Sequence, residues 1–289
     1  MTNSSQVDLI LKQALLEDIG TGDVTTCAVI PENHRSKAVL IAGEIFLLAG
    51  VPFAERIFQL VHHVRKGVIS HVVKFIASKK DGDVVKKGTI IARISGNTRE
   101  LLMGERTALN FLQRLSGIAT LTHKFVECVD GLPVKIVDTR KTTPGLRIFE
   151  KYAVRVGGGS NHRFGLFDGV LIKDNHINVA GGIEKAVRIA RENTQHMLKV
   201  EVEVKNIKEV KSALSAGAEI IMLDNMSLKD IKKSVEIIRE QNPQVIIEAS
   251  GNIRMENVRA VAETGVDLIS VGALTHSAAA VDISMDILT

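Results

Sequence analysis

The residues best suited to chemistry are mostly basic and fall in a few short stretches. DTRKTTPGLR, residues 138–147, carries Asp138, Arg140 and Lys141; GGGSNHRFG, residues 157–165, carries His162 and Arg163; IKDNH, residues 172–176, carries Lys173. A lone Arg or Lys in a loop is ordinarily a solvated surface group, and a lone His is more often structural than catalytic. Four cations and a histidine at one mouth, with Gly157, Gly158 and Gly159 bringing backbone close, would instead make a site for anions. Arg140 and Arg163 can each grip a carboxylate through two parallel hydrogen bonds. The opposite charge comes later, from Glu203 and Asp224. Two acids are too few for a protein-only metal cage, but they suit magnesium held jointly with substrate phosphates and water. The competing role for Asp224, ahead of Asn225 and Ser227, is a helix cap.

These residues need elements that bring them together. From about Asp138 onward, short β-branched runs alternate with segments of helical period, the mark of βα units around a parallel sheet. The pattern predicts strands at 134–137, 169–172, 200–204, 219–223, 245–249 and 268–271. It predicts helices at 183–193, 207–216, 228–240 and 255–263. In the third strand Val200, Val202 and Val204 alternate with Glu201 and Glu203, so both carboxylates lie on one face. A sheet covered on both sides would bury that acidic face against apolar helices, whereas a barrel aims it into a polar mouth. The expected architecture is an open, incomplete (βα) TIM-like barrel. Its functional residues would sit at the C-terminal strand ends, and the last two, ASGN at 249–252 and SVGALTHS at 270–277, would cradle a phosphate.

Residues 1–115 read as a separate N-terminal α/β domain, with residues 116–289 as the barrel and the C-terminal residues free to pack back on the first domain. An amphipathic helix at 7–16 is followed by short strands and glycine turns, giving an α+β sandwich of barrel-sandwich or hammerhead-like type. Within residues 72–94 the segment beginning KKDGDVVKKG resembles the second half of a lipoyl or biotinyl carrier, but no first half with the modified lysine is legible upstream. A helical run at 105–129 carries the chain between domains, and Gly117 is a candidate break in it.

Composition narrows the function classes. At 289 residues the chain can bury a large core, and 45% hydrophobic with 24% charged residues is ordinary for a folded globular protein. The net charge of +4 is mild, aromatics are 3%, there is no Trp, and Tyr152 is the single tyrosine. Nucleic-acid binding would want basic clusters with aromatic platforms, so that class is set aside. Cys27 and Cys128 stand about a hundred residues apart without metal-ligand spacing, which predicts two buried free thiols. Residues 1–6 are polar, unlike a signal peptide, and the longest apolar run, 45–54, is too short to span a membrane. A cytoplasmic setting is expected.

DTRKTTPGLR, GGGSNHRFGLFDGVLIKDNH, EVEV, LDN, ASGN and VGALTHS, in this order and spacing, resemble the type II quinolinate phosphoribosyltransferases; EDIGTGDVTT and GERTALNFLQRLSGIAT resemble them too, so the likeness spans nearly the whole chain. Glycine is frequent in that family where this chain has Asn252, a residue that also tolerates left-handed backbone. The resemblance implies transfer of phosphoribosyl from 5-phosphoribosyl 1-pyrophosphate to quinolinate with decarboxylation, yielding nicotinate mononucleotide, pyrophosphate and carbon dioxide for NAD biosynthesis. It implies that Arg106, Thr139, Arg140, Lys141, His162, Arg163 and Lys173 bind substrate, with Arg106 reaching across from a second subunit. It assigns Lys141, Glu203 and Asp224 to catalysis, the two acids also facing magnesium on the ribose donor. Ser250, Gly251, Asn252, Val271, Gly272 and Ala273 would take the 5-phosphate. It further implies a homodimer with shared sites, or a hexamer built as a trimer of dimers. Two rivals stay open: a Schiff-base aldolase using Lys173, and a divergent relative serving molybdate transport.

Overall fold

The computed structural model describes residues 4–64 and 73–288. In chain order come α1 (Ser4–Ile19), α2 (Val24–Val29), β1 (Arg35–Ala42), β2 (Phe46–Leu47), α3 (Val51–Val64), β3 (Lys74–Ala77), β4 (Val84–Val85), β5 (Ile90–Asn97) and α4 (Thr98–Cys128). The alternating part follows: β6 (Lys135–Val137), α5 (Arg147–Val156), β7 (Val170–Ile172), α6 (Asp174–Ala180), α7 (Ile183–Asn193), β8 (Val200–Val204), α8 (Ile207–Ser215), β9 (Ile220–Asp224), α9 (Leu228–Gln241), β10 (Ile246–Ser250), α10 (Val258–Ala262), β11 (Leu268–Ser270), α11 (Ala273–His276) and β12 (Ile283–Leu288). Among the described residues no helix is long and apolar enough to cross a membrane.

The chain forms two compact units. The first takes in residues up to Leu121, Thr143–Gly157 and the stretch from Ala278 onward; the second is Thr122–Thr142 with Gly158–Ser277. The boundary expected at 115/116 thus falls inside one continuous helix, and Gly117 does not break α4. Its lack of a side chain serves close approach instead, since a Cβ there would lie 1.9 Å from the carbonyl oxygen of Ala279. A helix tolerates a glycine that costs about 1 kcal/mol when a passing backbone fills the space.

In the first unit an antiparallel sheet runs β12-β1-β5-β3, with β2 and β4 paired apart from it. The last strand pairs with β1 from Lys37↔Leu288 to Ala42↔Ile283. On α1, Val7, Leu11 and Leu15 are buried, the four-residue spacing of a helix stripe. Residues 72–94, which contain the carrier-like segment, supply β3, β4 and the start of β5; Val72 lies outside the described residues. The helix after β6 belongs to this unit, for a reason of packing. Phe149 is fully buried with its ring centroid 4.9 Å from those of both Phe53 and Phe111. The buried Glu150 accepts from the Arg114 guanidinium at 2.8 Å. Cys27 is exposed and Cys128 half-buried, both free. The expectation of two buried thiols therefore fails, because α2 is a six-residue surface helix with Thr26 as its one buried residue.

The second unit holds the parallel sheet in the order β6-β11-β10-β9-β8-β7. The first and last strands of the series are neighbours, as in a barrel, while the first and second, β6 and β7, lie at opposite edges. Ser160 lies against the outer edge of β6 through a parallel bridge to Val137. Among the described residues no strand joins β7 to β6, so the barrel is open. Val200, Val202 and Val204 are buried on one face of β8. Burying a valine stabilises by about 1.5–3 kcal/mol, enough for three to offset the several kcal/mol of desolvating a carboxylate on the facing side. Helices α7, α8 and α9 contribute Val187, Val210 and Ile238 as their deepest apolar residues.

Candidate active site

The C-terminal ends of the parallel strands open on one cavity of about 970 Å³. Thr139, Arg140 and Lys141 enter it after β6, His162 and Arg163 from the segment before β7, and Lys173 after β7. Glu203 comes from β8, Asp224 from the end of β9, Ser250, Gly251 and Asn252 from the end of β10, and Val271, Gly272 and Ala273 from beyond β11. The shared strand direction brings residues more than a hundred positions apart to one rim.

Local chemistry holds three of the four cations in place. The loop carrying Lys141 is bent by its own N–H donating to Thr139 Oγ1 at 3.0 Å, and the Thr275 hydroxyl donates to the Lys141 carbonyl at 2.7 Å. Gly272 lets the Lys141 side chain pass over it, since a Cβ would sit 3.1 Å from Lys141 Cδ. Arg163 donates from Nη1 to the Gly169 carbonyl at 3.0 Å, while its Nε is buried without a hydrogen-bond partner among the described residues. Burial first, then the charge of Arg140, holds the Arg163 guanidinium below its ordinary pKa, with Glu201 and Asp168 opposing. An anion arriving between Arg140 and Arg163 relieves both effects. At the end of β7 the Lys173 ammonium donates to Glu203 Oε2 at 2.6 Å, and Lys173 N–H donates to His176 Nδ1 at 2.9 Å.

Beneath the cations lies an acidic floor. His162 Nε2 stands 3.3 Å from Glu201 and 3.5 Å from Glu248, whose side chains are 6% and 1% exposed. The three ligand-capable atoms lie within 4.8 Å of one another, close enough for a metal ion. The histidine rules against one. Its Nδ1 accepts the Arg163 backbone N–H at 2.8 Å, so the ring proton sits on Nε2, between the carboxylates, where a metal would need a lone pair. Burial and then Glu201 push the Glu248 carboxyl up to about 7, with His162 pulling the other way. Asp138 is fully buried and accepts the backbone N–H of His162 at 2.9 Å and the amide of Asn161, so it shapes the loop rather than the cavity wall.

At the end of β10, the N–H groups of Gly251 and Asn252 make no hydrogen bond among the described residues, which leaves both able to donate to an anion. The capping alternative for Asp224 fails: Ser227 caps α9, accepting from the Asp230 N–H at 3.2 Å.

Of the predicted substrate, phosphate and metal-facing residues, all but Arg106 line this cavity. Arg106 lies exposed on α4 in the first unit. The glycine triplet does not line it either; Gly157 ends α5, and Gly158 takes a φ of +90 to turn the chain. Sequence reading missed Glu248, Asn225, Arg254 and His276, which do line it. A lone carboxylate in the otherwise apolar run IIEAS was a usable signal for Glu248; a shared wall between loops has no such signal.

Known proteins resemble the chain along its length. The family model for the quinolinate phosphoribosyl transferase C-terminal domain matches residues 118–286, and that for the N-terminal domain matches residues 23–116. A probable nicotinate-nucleotide pyrophosphorylase [carboxylating] of Synechocystis is 46% identical over 281 residues, covering 97% of this chain and 92% of the relative. One of Bacillus subtilis is 44% identical over 285 residues, covering 99% and 94%. The crystal structure of NadC from Streptococcus pyogenes superposes with a TM-score of 0.91 at 42% identity, covering 100% of this chain and 99% of that one.

Proposed function

The chain belongs to the quinolinate phosphoribosyltransferase family, and on that premise we propose that it joins quinolinate to the ribose of 5-phosphoribosyl 1-pyrophosphate with loss of carbon dioxide. The products are nicotinate mononucleotide and pyrophosphate, a step toward NAD. The observation that carries this reading is the meeting of Arg140, Arg163 and Lys173 with Glu203, Asp224 and two backbone amides unbonded among the described residues in one cavity.

Quinolinate brings two carboxylates, and Arg140, Arg163 and Lys173 supply two planar forks and a point charge to hold them. His162, fixed by the Arg163 backbone and the floor, supports that wall from below. Thr139 shapes the loop that presents Lys141, which stands where pyrophosphate departs. As the C1–oxygen bond to pyrophosphate breaks, positive charge gathers on the ribose, and Glu203 and Asp224 stabilise it while Lys141 stabilises the leaving group. The ring nitrogen then bonds to C1. The resulting pyridinium stabilises the carbanion left when the adjacent carboxylate departs as carbon dioxide, and that carbon takes a proton. Holding nitrogen and C1 in contact is worth about 7–11 kcal/mol in favourable cases.

Two carboxylates on neighbouring strands fit a magnesium ion that phosphate oxygens and water would complete, so Glu203 and Asp224 would face it. When bound, that ion neutralises charge on the pyrophosphate. The 5-phosphate rests on Ser250, Gly251, Asn252, Val271, Gly272 and Ala273. The working unit is a cytoplasmic homodimer, alone or as a trimer of dimers, in which Arg106 of one copy completes the site of the other; its exposure on α4 fits that duty.

The test is turnover of quinolinate with 5-phosphoribosyl 1-pyrophosphate, read by mass spectrometry for nicotinate mononucleotide, with magnesium omitted as a control. Absence of that product, together with a borohydride-trapped imine on Lys173, would transfer the site to aldolase chemistry.

A further inference from the structure

Among the described residues, Asn225 and Asn252 are the two non-glycine residues with positive φ, each at 53. They bond to each other. Asn252 Nδ2 donates to Asn225 Oδ1 at 2.9 Å, and Asn225 Nδ2 donates to Asp224 Oδ2 at 2.9 Å. Because a carboxylate only accepts, Asp224 sets the direction of the relay: the Asn225 amide turns its N–H to the acid and its oxygen to Asn252. The backbone repeats the link, with Asn225 N–H donating to the Ser250 carbonyl at 2.9 Å. Between them lies Gly251, at φ +89, where a Cβ would meet the Asn225 amide at 2.3 Å. The relay continues beyond the turn: Asn257 Nδ2 donates to the Asn252 carbonyl at 3.0 Å, and Asn257 Oδ1 accepts the Arg254 N–H at 2.8 Å.

Left-handed backbone costs roughly 1–2 kcal/mol for an ordinary side chain and less for asparagine, yet glycine would cost nothing there. What glycine cannot supply is the amide. The relay ties the acid at the end of β9 to the turn after β10, and both line the cavity. We infer that Asn225 and Asn252 are positioning residues for the ribose donor, holding Asp224 and the Ser250–Asn252 turn at a fixed separation matched to the span from ribose ring to 5-phosphate. The inference rests on the placement of the donor proposed above. Neither amide reaches toward Arg140 or Arg163 through any hydrogen bond among the described residues, so its effect should be confined to one substrate.

Glycine substitutions test this cleanly, because they keep the backbone conformation and remove only the amides. In Asn225→Gly and Asn252→Gly the KM for 5-phosphoribosyl 1-pyrophosphate should rise about tenfold, the loss of one to two hydrogen bonds. The KM for quinolinate should stay within about twofold. The double variant should be no worse than the weaker single, since each removal already breaks the same relay. Titration calorimetry with ribose 5-phosphate should show the same loss without turnover. An unchanged donor KM, equal rises for both substrates, or multiplied effects in the double variant would overturn the positioning role. Failure of the unmodified protein to make nicotinate mononucleotide would instead sink the proposed function before any variant is compared.

Discussion

Lys173 and Glu203 are bonded to each other at 2.6 Å across the mouth of the barrel. The cation proposed to hold quinolinate and the acid proposed to face the ribose therefore neutralise one another, and substrates must compete for both. In Glu203→Gln the lysine is released. A pair this exposed on the lysine side, 46%, contributes at most about 1 kcal/mol. Quinolinate should then bind up to about fivefold more tightly by calorimetry, while turnover falls about a hundredfold for want of the acid. Loss of quinolinate binding in this variant would place Glu203 on the quinolinate side of the site.

Arg163 tests how the carboxylates are read. Its buried Nε, without a hydrogen-bond partner among the described residues, and its depressed pKa both favour an incoming anion. Arg163→Ala should raise the quinolinate KM roughly 10–100-fold, the cost of charge-assisted hydrogen bonds, and leave the donor KM within about threefold. Arg163→Lys should rescue little of it, because an ammonium does not reproduce the fork. Equal effects on both substrates would reduce Arg163 to a scaffold.

Arg106 gives a test of shared sites. Mixing Arg106→Ala chains with Lys173→Ala chains should restore activity to about a quarter of the parent's, since random pairing leaves half the dimers mixed and each mixed dimer has one intact site. Verified mixed dimers without activity would confine Arg106 to its own chain.

Gly117 offers a stability prediction opposite to the usual one. Glycine to alanine inside a helix normally stabilises by about 1 kcal/mol. Here the new methyl meets the Ala279 carbonyl oxygen, so Gly117→Ala should destabilise the first unit by about 1–3 kcal/mol in denaturant titration. A more stable variant would mean that the segment after Ala278 moves aside without cost.

The barrel strands were legible because their signal is local: β-branched runs between helical periods place all six within a residue or two. The EVEV alternation put Glu201 and Glu203 on one face, and the cavity has Glu203 in its wall. What stayed hidden depends on contacts distant in sequence. Nothing in RIFEKYAVRV says that Phe149 packs on Phe53 and Phe111, which takes α5 out of the barrel unit. Likewise Gly117 reads as a break until Ala279 is seen beside it. The relay from Asp224 to Asn252 joins residues 28 apart through side-chain amides, for which spacing gives no cue.

The acidic floor sets a pH dependence of stability. Glu248, raised from an ordinary 4.5 to about 7 by burial and by Glu201, keeps its proton in the folded protein at pH values where the unfolded chain has lost it. The folded state thus holds the extra proton between about 4.5 and 7, and stability contributed below that window is lost as pH rises through it. A shift of this size corresponds to about 3 kcal/mol at full loss. Glu248→Gln keeps the shape and cannot ionise, so its stability should match the parent's slope from all other groups while lacking this one. Measured by denaturant titration, the variant should gain on the parent from pH 5 to about pH 7 and level off above it, by up to about 3 kcal/mol in all. Parallel curves across that range would mean that Glu248 is already ionised in the fold.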